Sequence, residues 1–169
     1  LTAFESYFRE KRPFFIEGAS TFDFGNGGVN SVRYFDWRDP DFFYSRRIGR
    51  RPQVPVYVDE ENMYVDLPDF TGIVGAAKLT GKIGEGWNIG LLSAVTSREY
   101  ADIDRDGARD RDIVEPLSYY NVVRAQKEFN GGRQGLGMMA TAVNRDLNTP
   151  VQKRILVDSA YALALDGWT

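Results

Sequence analysis

The 169-residue sequence contains no histidine and no cysteine. Without an imidazole there is no Ser-His-Asp triad, no His-ligated zinc and no histidine base. Without a thiol there are no disulfides, no thiolate nucleophile and no Cys-ligated metal. Any catalysis would fall to carboxylates, Lys, Tyr or Arg. Excess positive charge is missing too: 21 Lys and Arg stand against 24 Asp and Glu, for a net charge of −3. No broad basic face therefore offers itself to nucleic acid, which is not expected as a partner. No apolar run approaches the ~20 residues that a membrane-spanning helix needs. No charged-then-apolar signal segment precedes the first motif. The chain opens at Leu1 without a Met and stops just after a strand-like run. It reads as a fragment of something longer.

What is present is aromatic and glycine-rich: 11 Phe, 9 Tyr, 3 Trp and 17 Gly. The length suffices for one domain with a substantial core. Residues 1–70 are dense in Phe, Tyr, Arg, Asp and Gly, with little periodicity, and read as an irregular plug- or loop-like segment. Leu1 to Arg12 could form a helical turn or two with Phe4 and Phe8 on one face, ended by Pro13. Phe14, Phe15 and Ile16 could be a short strand, and Met63 to Leu67 is too short to assign.

From residue 71 onward the character changes to long hairpins. Ile73, Gly75, Ala77, Leu79 and Ile83 alternate with Val74, Ala76, Lys78, Thr80 and Lys82. After the turn at Gly84-Glu85-Gly86, Trp87, Ile89, Leu91, Ser93 and Val95 alternate with Asn88, Gly90, Leu92, Ala94 and Thr96. A tight glycine turn joining two such runs fixes an antiparallel pair. The unit repeats around Asn130-Gly131-Gly132, with Val123, Ala125 and Phe129 on one face and Arg124, Gln126 and Glu128 on the other. Lys127 breaks the apolar face near the turn, where its amine can reach water. The predicted strands span about 72–83, 87–98, 118–129, 134–145 and 154–168. They are longer than the usual five or six residues.

The connections alternate in length: short at 84–86 and 130–132, long and charged from Arg98 to Leu117, intermediate from Arg145 to Lys153. Long strands with dyad alternation, short turns at one end and longer loops at the other are the design of outer-membrane barrels. The fold class is therefore all-β: an antiparallel meander forming part of an outer-membrane-type barrel. On this reading Trp87, Ile89, Leu91 and Val95 face lipid, while Lys78, Thr80, Lys82 and Asn88 face the lumen. The backbone is then satisfied between strands, as hydrocarbon demands. Trp87, Tyr119, Tyr120 and Trp168 fall near strand ends, where aromatic girdles lie. Soluble barrels and sandwiches share much of this pattern. Five strands cannot close a membrane barrel, which needs about eight, so the rest of the barrel is an expected partner.

Five segments also carry a resemblance: Leu1–Gly18 (LTAFESYFREKRPFFIEG), Phe43–Arg50 (FYSRRIGR), Ala76–Lys82 (AAKLTGK), Val114–Tyr120 (VEPLSYY) and Met139–Arg145 (MATAVNR). Together and in this order they resemble a family of uncharacterised Gram-negative proteins. Its members usually carry a secreted family 9 carbohydrate-binding-like domain followed by a large outer-membrane β-barrel. The chain resembles an internal stretch of that barrel. The resemblance implies an outer-membrane location, lipid as a partner, and a surface binding or transport role toward extracellular, glycan-derived ligands. It supplies no catalytic residues.

Three constellations could carry chemistry. Asp102, Asp104 and Asp106 with Gly107, then Asp110, reproduce positions 1, 3, 5, 6 and 9 of an EF-hand-type loop, so Ca2+ is the one cofactor suggested. Ile113 stands where the bidentate acid belongs, leaving Asp112 or Glu115 to substitute. The alternative is a solvated loop neutralised by its own arginines. Tyr44, Arg46, Arg47 and Arg50 combine an aromatic with guanidinium forks, fit for carboxylate, phosphate or sugar, or for pairing with acids inside a lumen. A hydrolase would need two carboxylates about 5–10 Å apart. Glu17, Asp23, Asp36 and Asp39 lie in the right kind of region, and a secreted carbohydrate hydrolase is the rival reading, with a ligand-free scaffold as the third. The expectation leans away from an enzyme. Gly25-Asn26-Gly27-Gly28 lacks the helix and lysine of a phosphate loop.

Overall fold

The computed structural model describes residues 8–24, 42–57 and 63–169. The chain is all-β, with eight strands: β1 Met63–Asp66, β2 Ile73–Ile83, β3 Trp87–Thr96, β4 Glu99–Arg105, β5 Ala108–Glu115, β6 Ser118–Phe129, β7 Gln134–Arg145 and β8 Ser159–Trp168. They form a five-stranded sheet in the order β2-β3-β6-β7-β8 and a three-stranded sheet in the order β1-β4-β5, every pairing antiparallel. Among the described residues there are also two short helices, α1 Pro13–Ile16 and α2 Pro150–Ile155, and three 3-10 turns.

The long hairpins fall where alternation and turn glycines place them. Gly84 and Gly86 at one tip, and Gly131 and Gly132 at the other, hold φ between +52° and +85°, which only glycine adopts without strain. From Gly75 on, register is continuous across the five strands, so Leu79, Leu91, Val123, Ala140 and Leu163 form one row, and Lys78, Leu92, Val122, Thr141 and Ala162 the row beside it on the opposite face. A bulge between Ile73 and Gly75 sets Ile73, expected on the apolar face, opposite Thr96 on the other.

The more apolar face of the large sheet is not the one that holds the core. The residues packed into the main core are Leu92, Ala94, Tyr120, Val122 and Met139, from the face that alternation marks as small, polar or cationic. Phe15, Phe22 and Ile48 of the N-terminal segment cover them. The more apolar face is bare: Leu79, Leu163 and Leu165 are each about two-thirds or more exposed, and Trp87, Leu91, Val123 and Met138 about two-fifths. Of the four aromatics expected in girdles, Trp87 and Tyr119 are on this open face. Tyr120 is instead buried in the core, and Trp168 lies over Gly135, filling the space a side chain there would take.

Several local expectations are corrected. Arg98 to Leu117 is no loop: β4 and β5 form a hairpin on a tight turn at Asp106-Gly107, where Asp106 has φ 51° and Gly107 φ 84°. Two-residue turns with positive φ twist in the sense that hairpins need. Met63–Asp66 joins this hairpin as β1, and Ala101, Ile103 and Val114 with Val56, Met63 and Val65 make a second, smaller core. Phe14 to Ile16 is helical rather than extended, because Pro13 begins a helix at its first turn instead of ending one. Phe8 to Arg12 is not helical, and Leu1 to Tyr7 lie outside the described residues. The last strand begins at Ser159, not at Arg154: Thr149 and Gln152 form a capping box that starts α2.

Candidate functional site

The N-terminal segment and the covered face of the large sheet build an aromatic concavity. Arg12 organises the segment. Its guanidinium donates to Glu10 (Nε to Oε1 2.9 Å, Nη2 to Oε2 2.7 Å) and to the carbonyls of Ile48 (2.6 Å) and Ser45 (3.0 Å). It also lies 4.2 Å from the Phe15 ring centroid. Ser45 donates to Glu10 at 2.6 Å. Residues 8–12 are thereby tied to the 3-10 turn Ser45–Arg47. Burial alone would raise the Glu10 carboxyl, but the hydrogen bonds from Arg12 and Ser45 outweigh it and bring the pKa down to about 2.

A depressed carboxyl pKa stabilises the fold above the unfolded value, here 4.5, and that contribution disappears as pH falls toward about 2. Wild type should therefore melt higher than Glu10→Gln at pH 6, with the gap closing as pH is lowered from 4.5 to 2. A gap unchanged over that window in thermal melts contradicts the assignment.

Between segment and wall lies a cleft of about 450 Å³, lined by Phe15, Phe22, Phe24, Phe42, Phe43 and Tyr44, with Arg9, Lys78, Glu10 and Asp23 among its polar residues. The rings associate in pairs: Phe24 and Phe42 stack at 5.5 Å, and Phe22 and Phe43 tilt at 6.0 Å. Asp23 lines this cleft; Glu17 does not, and Asp36 and Asp39 lie outside the described residues, as do Gly25 to Gly28. Glu10, held as an anion by Arg12 and Ser45, is unsuited to donate a proton as a general acid.

Tyr44, Arg46 and Arg50 line a neighbouring groove with Arg12, Arg51 and Phe70; Arg47 does not line it. Their contacts are largely within the chain. Tyr44 Oη accepts from the Phe8 N–H and donates to the Phe8 carbonyl, both at 2.9 Å. Arg46 donates to the Arg9 carbonyl at 3.1 Å and lies 5.7 Å from the Phe8 ring centroid. The Arg50 carbonyl accepts from the Thr71 N–H and hydroxyl. These residues brace the segment against the sheet.

Sequence reasoning missed two buried ionic centres. Arg124 of β6 reaches across β7 at Gly137 to Asp166 of β8, with both groups almost fully buried. The Asp166 Oδ2 contact is 2.6 Å. An added Cβ on Gly137 would come within 2.6 and 2.8 Å of the guanidinium nitrogens, so the glycine is the gap through which the arginine passes. The signal was in the sequence: an Arg and an Asp on inward positions of strands flanking a small residue. The second centre is Glu115, 1% exposed, which accepts from the Gln53 N–H (2.9 Å) and side-chain amide (3.2 Å). Burial pushes its pKa up, opposed by those hydrogen bonds and by the charges of Arg50 and Arg145.

The acidic hairpin places Asp102 and Asp104 on one face and Asp110, opposite Ile103, on the other, with Asp106 at the turn. Arg111 pairs with Asp102 at 2.7 Å, Arg105 with Asp110 at 3.7 Å and Arg109 with Asp104 at 4.0 Å. Asp104 also accepts from the Gly107 N–H at 2.8 Å. Strand alternation sets Asp102 and Asp104 on one face and Asp110 on the other, while all three border one groove with Arg109 and Arg111. Among the described residues no group of three or more acids is arranged to hold a metal ion.

These features define an all-β protein of two antiparallel sheets, the larger one covered on one face by an aromatic and Arg-rich segment. The chain belongs to a family of proteins carrying a domain of unknown function, DUF5916, whose family model matches residues 1–150. No curated protein and no solved structure matches the chain.

Proposed function

We propose that this chain is a sector of an outer-membrane β-barrel with a surface binding or transport role. The observation that supports it is the inversion of the large sheet, whose apolar face is bare while its mixed face holds the core and a buried ion pair. In water such an exposed band is an aggregation liability; in lipid it is the surface required. Its dimensions agree. An 11-residue strand such as β2 extends ~36 Å at about 3.3 Å per residue. Tilted by about 40°, it covers roughly 28 Å of bilayer, against an apolar band of ~25 Å. Trp87 and Tyr119, at opposite ends of the open face, are placed as interface anchors. Among the described residues no helix is long and apolar enough to cross a membrane.

Within such a barrel, the short turns at 84–86 and 130–132 lie at one rim, and the β4–β5 hairpin and α2 at the other. β2 and β8 are the open edges of the sheet, where further strands would pair to close the wall. The aromatic cleft, with charged groups on its margin, is where a ligand would stack and hydrogen-bond. The glycan-derived class of ligand rests on the family resemblance alone.

The test is membrane fractionation of the full-length gene product in a Gram-negative host, with detergent extraction and gel mobility before and after heating. The expected result is an outer-membrane protein that migrates faster unheated. A freely soluble secreted product would overturn the barrel and return attention to a hydrolase.

A further inference from the structure

The inner wall of the large sheet is shaped for the segment lying on it, position by position. At Gly90 of β3, an added Cβ would lie 2.9 Å from Thr21 Cγ2 and 3.0 and 3.1 Å from the Phe22 ring. The missing side chain is the seat into which the turn Ala19–Phe22 fits. Gly18, at φ 62°, brings the backbone against Thr80 of β2, with an added Cβ 3.6 Å from Thr80 Cβ. Lys78 of β2 donates to the carbonyls of Phe14 and Glu17, at the end of α1, and lies 4.9 Å from the Phe14 ring centroid. Such a cation satisfies carbonyls that a helix end leaves without partners. The Arg124 guanidinium lies 5.7 Å from the Phe24 ring centroid. The contact between segment and wall is a dry core, where Phe15, Phe22 and Ile48 bury Leu92, Ala94, Val122 and Met139.

A wall lining an open aqueous channel is polar and solvated. Here the corresponding wall has lost its water to the chain's own aromatic side chains. We infer that the N-terminal segment, through residues 8–24 and 42–48, is a built-in plug fixed to the lumen wall. The barrel is accordingly closed to free diffusion, and ligands engage the plug and its cleft rather than crossing an open pore. This inference rests on the barrel reading above and specifies its regulation.

Two variants of the full-length gene product test it in planar bilayers. Gly90→Phe fills the seat of Phe22 and should undock the plug, giving stepwise conductance that wild type lacks. Gly18→Cys combined with Thr80→Cys places two thiols in a stretch whose 169 residues contain no cysteine, any cysteine elsewhere in the full-length product being replaced by serine. The separation of 3.6 Å from an added Gly18 Cβ to Thr80 Cβ falls in the disulfide range of about 3.5–4.5 Å; because φ at Gly18 is 62°, which strains any side chain there, Gly18→Ala is the control for folding. Mild oxidation of the membrane-inserted protein should protect both thiols from maleimide, and reduction should expose them again. Wild type conducting as an open pore, or thiols that stay reactive after oxidation, would overturn the plug. The two readings fail differently: wild type that lacks heat-modifiable mobility removes the barrel and the plug with it, whereas heat-modifiable but conducting wild type removes only the plug.

Discussion

Replacing Asp166 by alanine is expected to destabilise the folded protein by about 3–5 kcal/mol, the usual cost of stranding one member of a buried ion pair. Arg124 is fully buried, and Asp166 meets it with both carboxylate oxygens. Removing the carboxylate leaves a guanidinium beneath Phe24 and beside Gln126, whose Oε1 at 3.4 Å is a poor substitute. The double variant Arg124→Met/Asp166→Leu should recover most of the loss, because replacing both charges by apolar side chains removes the desolvation penalty along with the attraction. Denaturant unfolding of the single and double variants in detergent measures the coupling. Equal, additive losses would mean that the pair is not an energetic unit.

The second large effect concerns the open face. Leu91 lies in the middle row of the sheet, between Leu79 and Val123. If this row is at the centre of the bilayer, Leu91→Arg should cost roughly 2–4 kcal/mol of folding stability in lipid, falling to about 0–1 kcal/mol for a charge near the interface. Val95→Arg, in the row at the end of the strand beside Tyr119, is the shallow partner. On a water-facing sheet neither change should matter beyond about 0.5 kcal/mol. Folding yields in vesicles, read from heat-modifiable mobility, separate the cases. A steep difference between Leu91 and Val95 supports lipid, and two small, equal effects contradict it.

The two effects probe opposite faces of the same sheet, and the contrast explains how much is legible in the sequence. Period-2 alternation in β2, β3, β6 and β7, with glycines at 84–86 and 131–132, locates four strands to within a residue or two, because strand geometry and positive φ are local properties. The same alternation identifies which face is more apolar. It says nothing of what covers either face. That was decided by Phe15, Phe22 and Ile48, which arrive from far along the chain, and by Gly90, whose purpose appears only when Phe22 lies over it.

In the acidic stretch two local codes compete. Asp102 to Asp110 has the spacing of a cation loop, yet the same residues alternate with Ile103 and Arg105. Pairing with the arginines of β5 across a two-residue turn satisfies the carboxylates without a cation. The arginines at 46 and 50 read as a ligand clamp because sequence shows charge but not partners. The structure gives Arg46 the carbonyl of Arg9, and Arg50 the field of Glu115.

By itself, then, the amino-acid order determined the all-β class, the hairpins, the turns and the chemical options closed by the lack of His and Cys, since each depends on neighbours within a strand or a turn. The tertiary structure alone decided which sheet face is covered and where Arg124 finds Asp166 across an intervening strand. Those outcomes depend on contacts between residues tens of positions apart, whose gain in burial and charge pairing no local pattern encodes.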